Sequence, residues 1–147
     1  MIVQGWKLVW YGEFERIYQA LMDDVKRLKR ERDDWQRHPK AIVFAAIQKL
    51  MLSVIPTDPN RADAKLKGDL SAWRRVKFLG RLRLFYRFST KEKVIAYVWV
   101  NDENTLRKEG SHSDPYVMFT KMIMSGNPPT DLLELLKICK DIDVDER

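Results

Sequence analysis

At 147 residues, with 45% hydrophobic and 33% charged side chains, the chain fits one domain with its own core and is too apolar to be disordered. One cysteine, Cys139, excludes an intrachain disulfide, the start MIVQGWKLVWYGEF lacks a signal-peptide core, and no run approaches the roughly 20 apolar residues of a membrane span, so a cytoplasmic protein is expected. The net charge of +6 is unevenly placed: residues 65–93 carry ten basic side chains against two acidic, whereas from Asn127 onward six acidic face three basic, which points the middle of the chain toward a polyanionic partner.

Gly5 to Trp10 reads as a short first strand, aromatic and β-branched. Phe14, Ile17, Tyr18, Leu21, Val25 and Leu28 then recur at helical spacing, which predicts an amphipathic helix from about Glu13 to Arg32. His38-Pro39 opens a second helix that runs to Ile55, where Pro56 is expected to stop it. From Pro56 to Ala72 the segment PTDPNRADAKLKGDLSA has no period and reads as an exposed connection, longer than most; connections of that length are often functional, and equally often plain surface.

Three strands follow, Trp73 to Phe78, Leu82 to Phe88 and Val94 to Val100. Side chains alternate along a strand, so the length of the first turn decides what faces what. A three-residue loop, Leu79-Gly80-Arg81, pairs Phe78 with Leu82 and Lys77 with Arg83, and gathers Arg75, Lys77, Arg83 and Arg87 on one face beside Trp73 and Phe85; a two-residue loop would drive charge into the core. Beyond the third strand comes the polar run Asn101-Asp-Glu-Asn-Thr-Leu-Arg107. Asp114 to Met124 reads as a helix with Tyr116, Phe119, Met122 and Ile123 as its apolar stripe, broken by Gly126 and Pro128-Pro129. A last helix, Leu132 to Lys140, precedes an acidic tail over 141–147 that is expected to fray.

Four cations on one strand face suit phosphate oxygens, and aromatics between them can stack on unpaired bases; the alternative is the wet face of a half-covered sheet. His38, His112 and Cys139 have no metal-ligand spacing, and no phosphate-cradling glycine loop or nucleophile elbow is present, so neither metal nor cofactor is expected. What remains is acid and base chemistry by protein groups, or simple binding. If the ligand is RNA, a 2′-hydroxyl can be deprotonated to attack the adjoining phosphate while fixed cations stabilise the growing charge. Lys77, Glu103, His112 and Tyr116 are the acid and base candidates, although a loop histidine and a helix-anchoring tyrosine are the commoner explanations of the last two.

The order of strand, two helices and three-strand meander, with Leu66-Lys67-Gly68 and Trp73-Arg-Arg-Val-Lys77, resembles the RelE/ParE superfamily of bacterial toxins. More narrowly, Gly5-Trp6, Trp73 to Phe78, Arg83-Leu-Phe-Tyr-Arg87, Lys91 to Ile95, Asn101 to Arg107 and the Asp114 to Met122 helix are similar to the YhaV family. The resemblance implies one α+β domain over 1–147 and a metal-independent endoribonuclease that cuts mRNA, on or with the ribosome, and arrests translation. It implies Arg75, Lys77, Arg83 and Arg107 as catalytic residues; the family's general base has no matching position here, so His112 and Tyr116 stand as candidates from the residues alone, as do RNA contacts from Lys67, Trp73, Phe85, Arg87 and Asn101. It also implies a PrlF-type antitoxin with a swapped-hairpin DNA-binding domain, operator DNA being reached only through that partner, and no membrane. A ParE-like gyrase inhibitor, or an RNA-binding module without catalysis, is the competing expectation.

Overall fold

β-Branched and aromatic residues build the strands, and their pairing sets the architecture of this computed structural model, which describes residues 1–101 and 114–144. Ile2–Val3 (β1) turns through Gln4 and Gly5, both at positive φ, into Trp6–Trp10 (β2); Gly5 takes its φ of 82° without the clash a Cβ brings. Gly12–Glu31 (α1) and Pro39–Lys49 (α2) then cross one face of the sheet. Arg74–Phe78 (β3), Leu82–Ser89 (β4) and Val94–Val100 (β5) form the meander, within one residue of the sequence reading. The sheet order is β1-β2-β5-β4-β3, with β2 and β5 parallel and the other pairs antiparallel. The mixed α+β architecture is the expected one.

The second helix departs from expectation at Pro56. The chain passes through a π-helical turn, Leu50–Val54, in which the Ile55 N–H donates to the Leu50 carbonyl, and continues as the helical turn Ile55–Thr57 (α3). Pro56 lacks an N–H and would break a regular ladder; the wider turn shifts the register just before it and the proline then stands in the first turn of α3. The uninterrupted run Pro39–Thr57 is, by length and composition, long and apolar enough to cross a membrane, which corrects the reading that no stretch approached that length. Here it packs as a core helix. Met51 and Ile55 are fully buried, Phe44 lies 5.0 Å from the Tyr18 ring, and Lys40 Nζ reaches Asp24 at 3.0 Å across the helix pair.

Pro115–Met124 (α4) and Leu132–Ile138 (α5) cover the opposite face. Asp114 caps α4 by accepting the Tyr116 N–H at 2.8 Å, and Asp131 caps α5 by accepting the Glu134 N–H at 3.0 Å. The start of the acidic tail is not frayed. Lys140–Asp141 (β6) pairs with β2, the Ile142 N–H donates to the Leu8 carbonyl at 3.1 Å, and Ile142 is buried; the last three residues, 145–147, lie outside the described residues.

Candidate nucleic-acid interface

The β3–β4 hairpin has the register read from the sequence, Phe78 against Leu82, Lys77 against Arg83 and Arg75 against Phe85. Its three-residue loop holds Leu79 at φ 47° and Gly80 at φ 77°. One sheet face therefore carries Arg75 and Lys77 from β3 and Arg83, Phe85 and Arg87 from β4. An irregularity in the β4–β5 pairing, Phe85 against Trp99 but Tyr86 against Tyr97, inserts Val98 as an extra residue and brings Trp99 beside Phe85.

That face is not uniformly open. Phe119 of α4 stacks on Phe85 with ring centroids 4.3 Å apart, lies parallel to Trp99 at 6.0 Å and meets Trp73 edge-on at 5.2 Å. Trp73 and Phe85 are consequently 0% exposed. They are core residues, not the stacking platform for bases that the sequence suggested, because a helix more than thirty residues away supplies the ring that covers them. Arg87 is also engaged. Its guanidinium donates to the Thr130 carbonyl and lies 5.5 Å from the centre of the Trp73 ring, and burial pulls its pKa below the usual arginine value. It ties the segment before α5 to the sheet.

Asn101, expected at an RNA-binding rim, is likewise fully buried. Its Oδ1 accepts the Arg83 N–H at 2.6 Å and its Nδ2 donates to the Arg81 carbonyl at 3.1 Å, so it extends the β5–β4 ladder by one side chain and fixes the hairpin end. Lys67 is exposed before the short turn Gly68–Leu70 and is not among the residues lining the cleft described below. Glu103, Arg107 and His112 lie outside the described residues.

What stays accessible is the hairpin end of the face. The Arg75 guanidinium lies 5.6 Å from the centre of the Tyr116 ring, and Tyr116 in turn meets Phe85 edge-on at 5.9 Å, so the covering helix positions Tyr116 at the boundary between core and cation cluster. Lys77 is exposed beside Arg83. The Arg83 guanidinium is drawn against the hairpin, its Nη1 donating to the Gly80 carbonyl at 2.8 Å and the Leu82 carbonyl at 3.0 Å. The Nε–H groups of Arg75 and Arg83, like that of Arg74, are shielded from solvent and have no acceptor among the described residues, so any contact with an anion falls to the outer guanidinium nitrogens.

A cleft of about 190 Å³ opens beside this cluster, lined by Arg61, Asp63, Arg75, Val76 and Lys77. Its far wall is the aperiodic connection before β3. The buried Tyr86 hydroxyl donates to the Pro59 carbonyl at 2.6 Å, Ala64 is buried, and Lys65 bridges to Arg74. Arg61 grips Asp63 with two contacts, Nε to Oδ1 at 2.7 Å and Nη2 to Oδ2 at 3.1 Å, and this pairing, helped by Arg75, holds the Asp63 carboxyl below its ordinary pKa. Sequence reasoning missed both residues. The only signal was the length of the connection that carries them, since no spacing links 61 and 63 to strand positions 75 and 77.

Such an arrangement can hold a phosphodiester: three cations from two adjacent strands converge on one surface, with a phenol at its edge. Comparisons with known proteins agree with that chemistry. Residues 8–140 match the YhaV toxin family, described as "Toxin with endonuclease activity, of toxin-antitoxin system". Ribonuclease toxin YhaV of Escherichia coli (strain K12) is 40% identical over 136 residues, 88% of each chain, and Toxin YhaV of Escherichia coli O157:H7 matches equally. The solved toxin-antitoxin complex RelBE2 from Mycobacterium tuberculosis is similar with a TM-score of 0.47 and 14% identity, over 67% of this chain and 99% of that one. With its family match spanning nearly the whole chain, the protein belongs to the YhaV family of endonuclease toxins from toxin-antitoxin systems.

Proposed function

We propose that this toxin cleaves single-stranded messenger RNA, in the cytoplasm and in association with the ribosome, by attack of a 2′-hydroxyl on the adjoining phosphate. The observation that carries the proposal is the convergence of Arg75, Lys77 and Arg83 at the open end of the β3–β4 face, with Tyr116 against Arg75. A base removes the 2′-hydroxyl proton, the 2′-oxygen attacks phosphorus, and the 5′-oxygen departs with a proton from an acid. The products carry a 2′,3′-cyclic phosphate and a 5′-hydroxyl. Negative charge grows on the nonbridging oxygens during attack, so donors fixed before the reaction lower its barrier more than they favour the bound substrate. In this reading Arg75 and Arg83 are those donors, standing with Lys77 on one strand face. Lys77 and Tyr116 are the described candidates for proton transfer, with His112 a further candidate, and Arg107 keeps the role that the family resemblance gives it.

The partner antitoxin, in the same proposal, is of the PrlF type and silences the toxin by setting an acidic segment over the cations that otherwise hold RNA. Operator DNA is then engaged through the antitoxin alone.

The decisive experiment incubates the protein with a defined mRNA in EDTA, with and without translating ribosomes, and maps the new ends by primer extension. Cyclic phosphate ends in EDTA are expected, with ribosomes enhancing cutting. No cuts in either mixture, while a control ribonuclease remains active, would overturn the proposal.

A further inference from the structure

The Arg61–Asp63 cleft contains a carboxylate where a polyanion is to be bound. Asp63 stands in it with Arg75 and Lys77, and its side chain is 72% exposed. A carboxylate repels phosphate, so its presence weakens backbone binding unless it meets some other part of the ligand. Nor is it needed to hold its own loop. The Tyr86–Pro59 hydrogen bond, buried Ala64 and the Lys65–Arg74 bridge already fix that segment against β3. An ionised carboxylate only accepts hydrogen bonds, and each of its two oxygens, having taken one N–H from Arg61, retains capacity for another.

The hydrogen donors of single-stranded RNA beyond its sugar hydroxyls are on the bases. Guanine, adenine and cytosine each carry an exocyclic amino group on the Watson–Crick edge, which a carboxylate accepts. Uracil has only a ring N–H there, flanked on both sides by carbonyl oxygens that a carboxylate repels. Arg61, beside Asp63, can hold the neighbouring acceptor of an amino-bearing base. Resting on the RNA-cleaving reading above, we infer that this cleft is a base-reading subsite next to the scissile phosphate, in which Asp63 admits an amino-bearing base and rejects uracil.

The test uses a pool of single-stranded oligonucleotides with randomised bases and 2′-O-methyl groups throughout, which cannot be cut by 2′-hydroxyl attack. The wild-type protein and Asp63→Asn each select from the pool, and retained sequences are read. Uracil should be depleted about tenfold at one position by the wild type, the size of a single good base contact, and the depletion should vanish with Asp63→Asn, whose amide can donate to a uracil carbonyl. Circular dichroism establishes that the variant is folded. No position depleted in uracil with the wild type, or the same depletion with the variant, would overturn the subsite. Because the pool cannot be cut, a protein that selects bases but leaves mRNA intact would sink the nuclease reading and leave Asp63 as the base reader of an RNA-binding cleft, whereas one that cuts mRNA without selecting would sink the subsite alone.

Discussion

Two ends of one sheet face, built from the same strands with the same alternation of arginine and aromatic residues, have opposite fates. At the covered end Phe119 converts Trp73, Phe85 and Trp99 into core, and Arg87 becomes a tether to Thr130. At the hairpin end, among the described residues, no aromatic ring stacks on Lys77 or Arg83, and Arg75 lies against the edge-placed Tyr116 with Asp63 near by. Whether a cation on this sheet is committed to the protein or left open is therefore decided by the helix above it and not by the strand that bears it.

The most forceful way to break the contrast is to remove the cover. Phe119→Ala deletes a fully buried ring that touches three others and should cost about 3–5 kcal/mol, a large part of the roughly 5–15 kcal/mol of an ordinary domain. Urea denaturation followed by tryptophan fluorescence checks it; a loss below about 1 kcal/mol would mean that α4 does not make the covered end. At the open end the expected cost falls on activity. Arg83→Ala should reduce RNA cleavage by about 10²-fold, the scale of one preorganised donor to a developing oxyanion, and relieve toxicity, with folding nearly intact because its two carbonyl contacts are exposed or only partly buried. A folded Arg83→Ala, Arg107→Ala double variant that stays toxic would sink the assignment.

Asn101 fixes the hairpin at the open end, and Asn101→Ala tests it. Without the side chain, the Arg83 N–H and the Arg81 carbonyl lose their partner, which should cost about 1–3 kcal/mol and lower cleavage as well by loosening the hairpin. Stability and rate are measured on the same preparation, and a variant that loses rate alone would return Asn101 to the RNA surface. Arg87→Met is milder still. It removes a carbonyl contact and a cation over Trp73, about 1 kcal/mol, but should leave the salt dependence of RNA binding unchanged, since Arg87 is already committed to the protein. A shallower salt slope would show that it touches phosphate.

How much of this was legible in the sequence follows from how far apart the causes lie. Register was readable because it rests on adjacent residues: a two-residue turn would have mixed charge into the core where Leu79-Gly80-Arg81 does not, and the pairing of Lys77 with Arg83 is the one expected. The exposure of Trp73 and Phe85 was not readable, since it depends on Phe119, whose place above the sheet is set by tertiary packing. The end of the second helix was misplaced because a proline normally stops a helix, and the π-helical turn that accommodates Pro56 leaves no compositional mark. Arg61 and Asp63 stayed invisible because a loop without periodicity does not announce which strand it will lie against.

Asp63 gives the finest test of the contrast, because it sits at the open end and should matter there without mattering for folding. Its folded pKa is depressed, first by Arg61, so any contribution of the ionised carboxylate is in place above the ordinary aspartate range near 3.8 and disappears only as pH falls through the lower folded value. Uracil rejection should accordingly be constant from pH 8 to pH 5, and the denaturation midpoint of Asp63→Asn should match the wild type throughout that window, as expected of an exposed pair. A rejection that fades between pH 7 and pH 5 would hand the reading to a group titrating near neutrality. A destabilised Asp63→Asn would make the Arg61 pair a structural clamp, and the open end would then begin one residue farther from the loop, at Arg75.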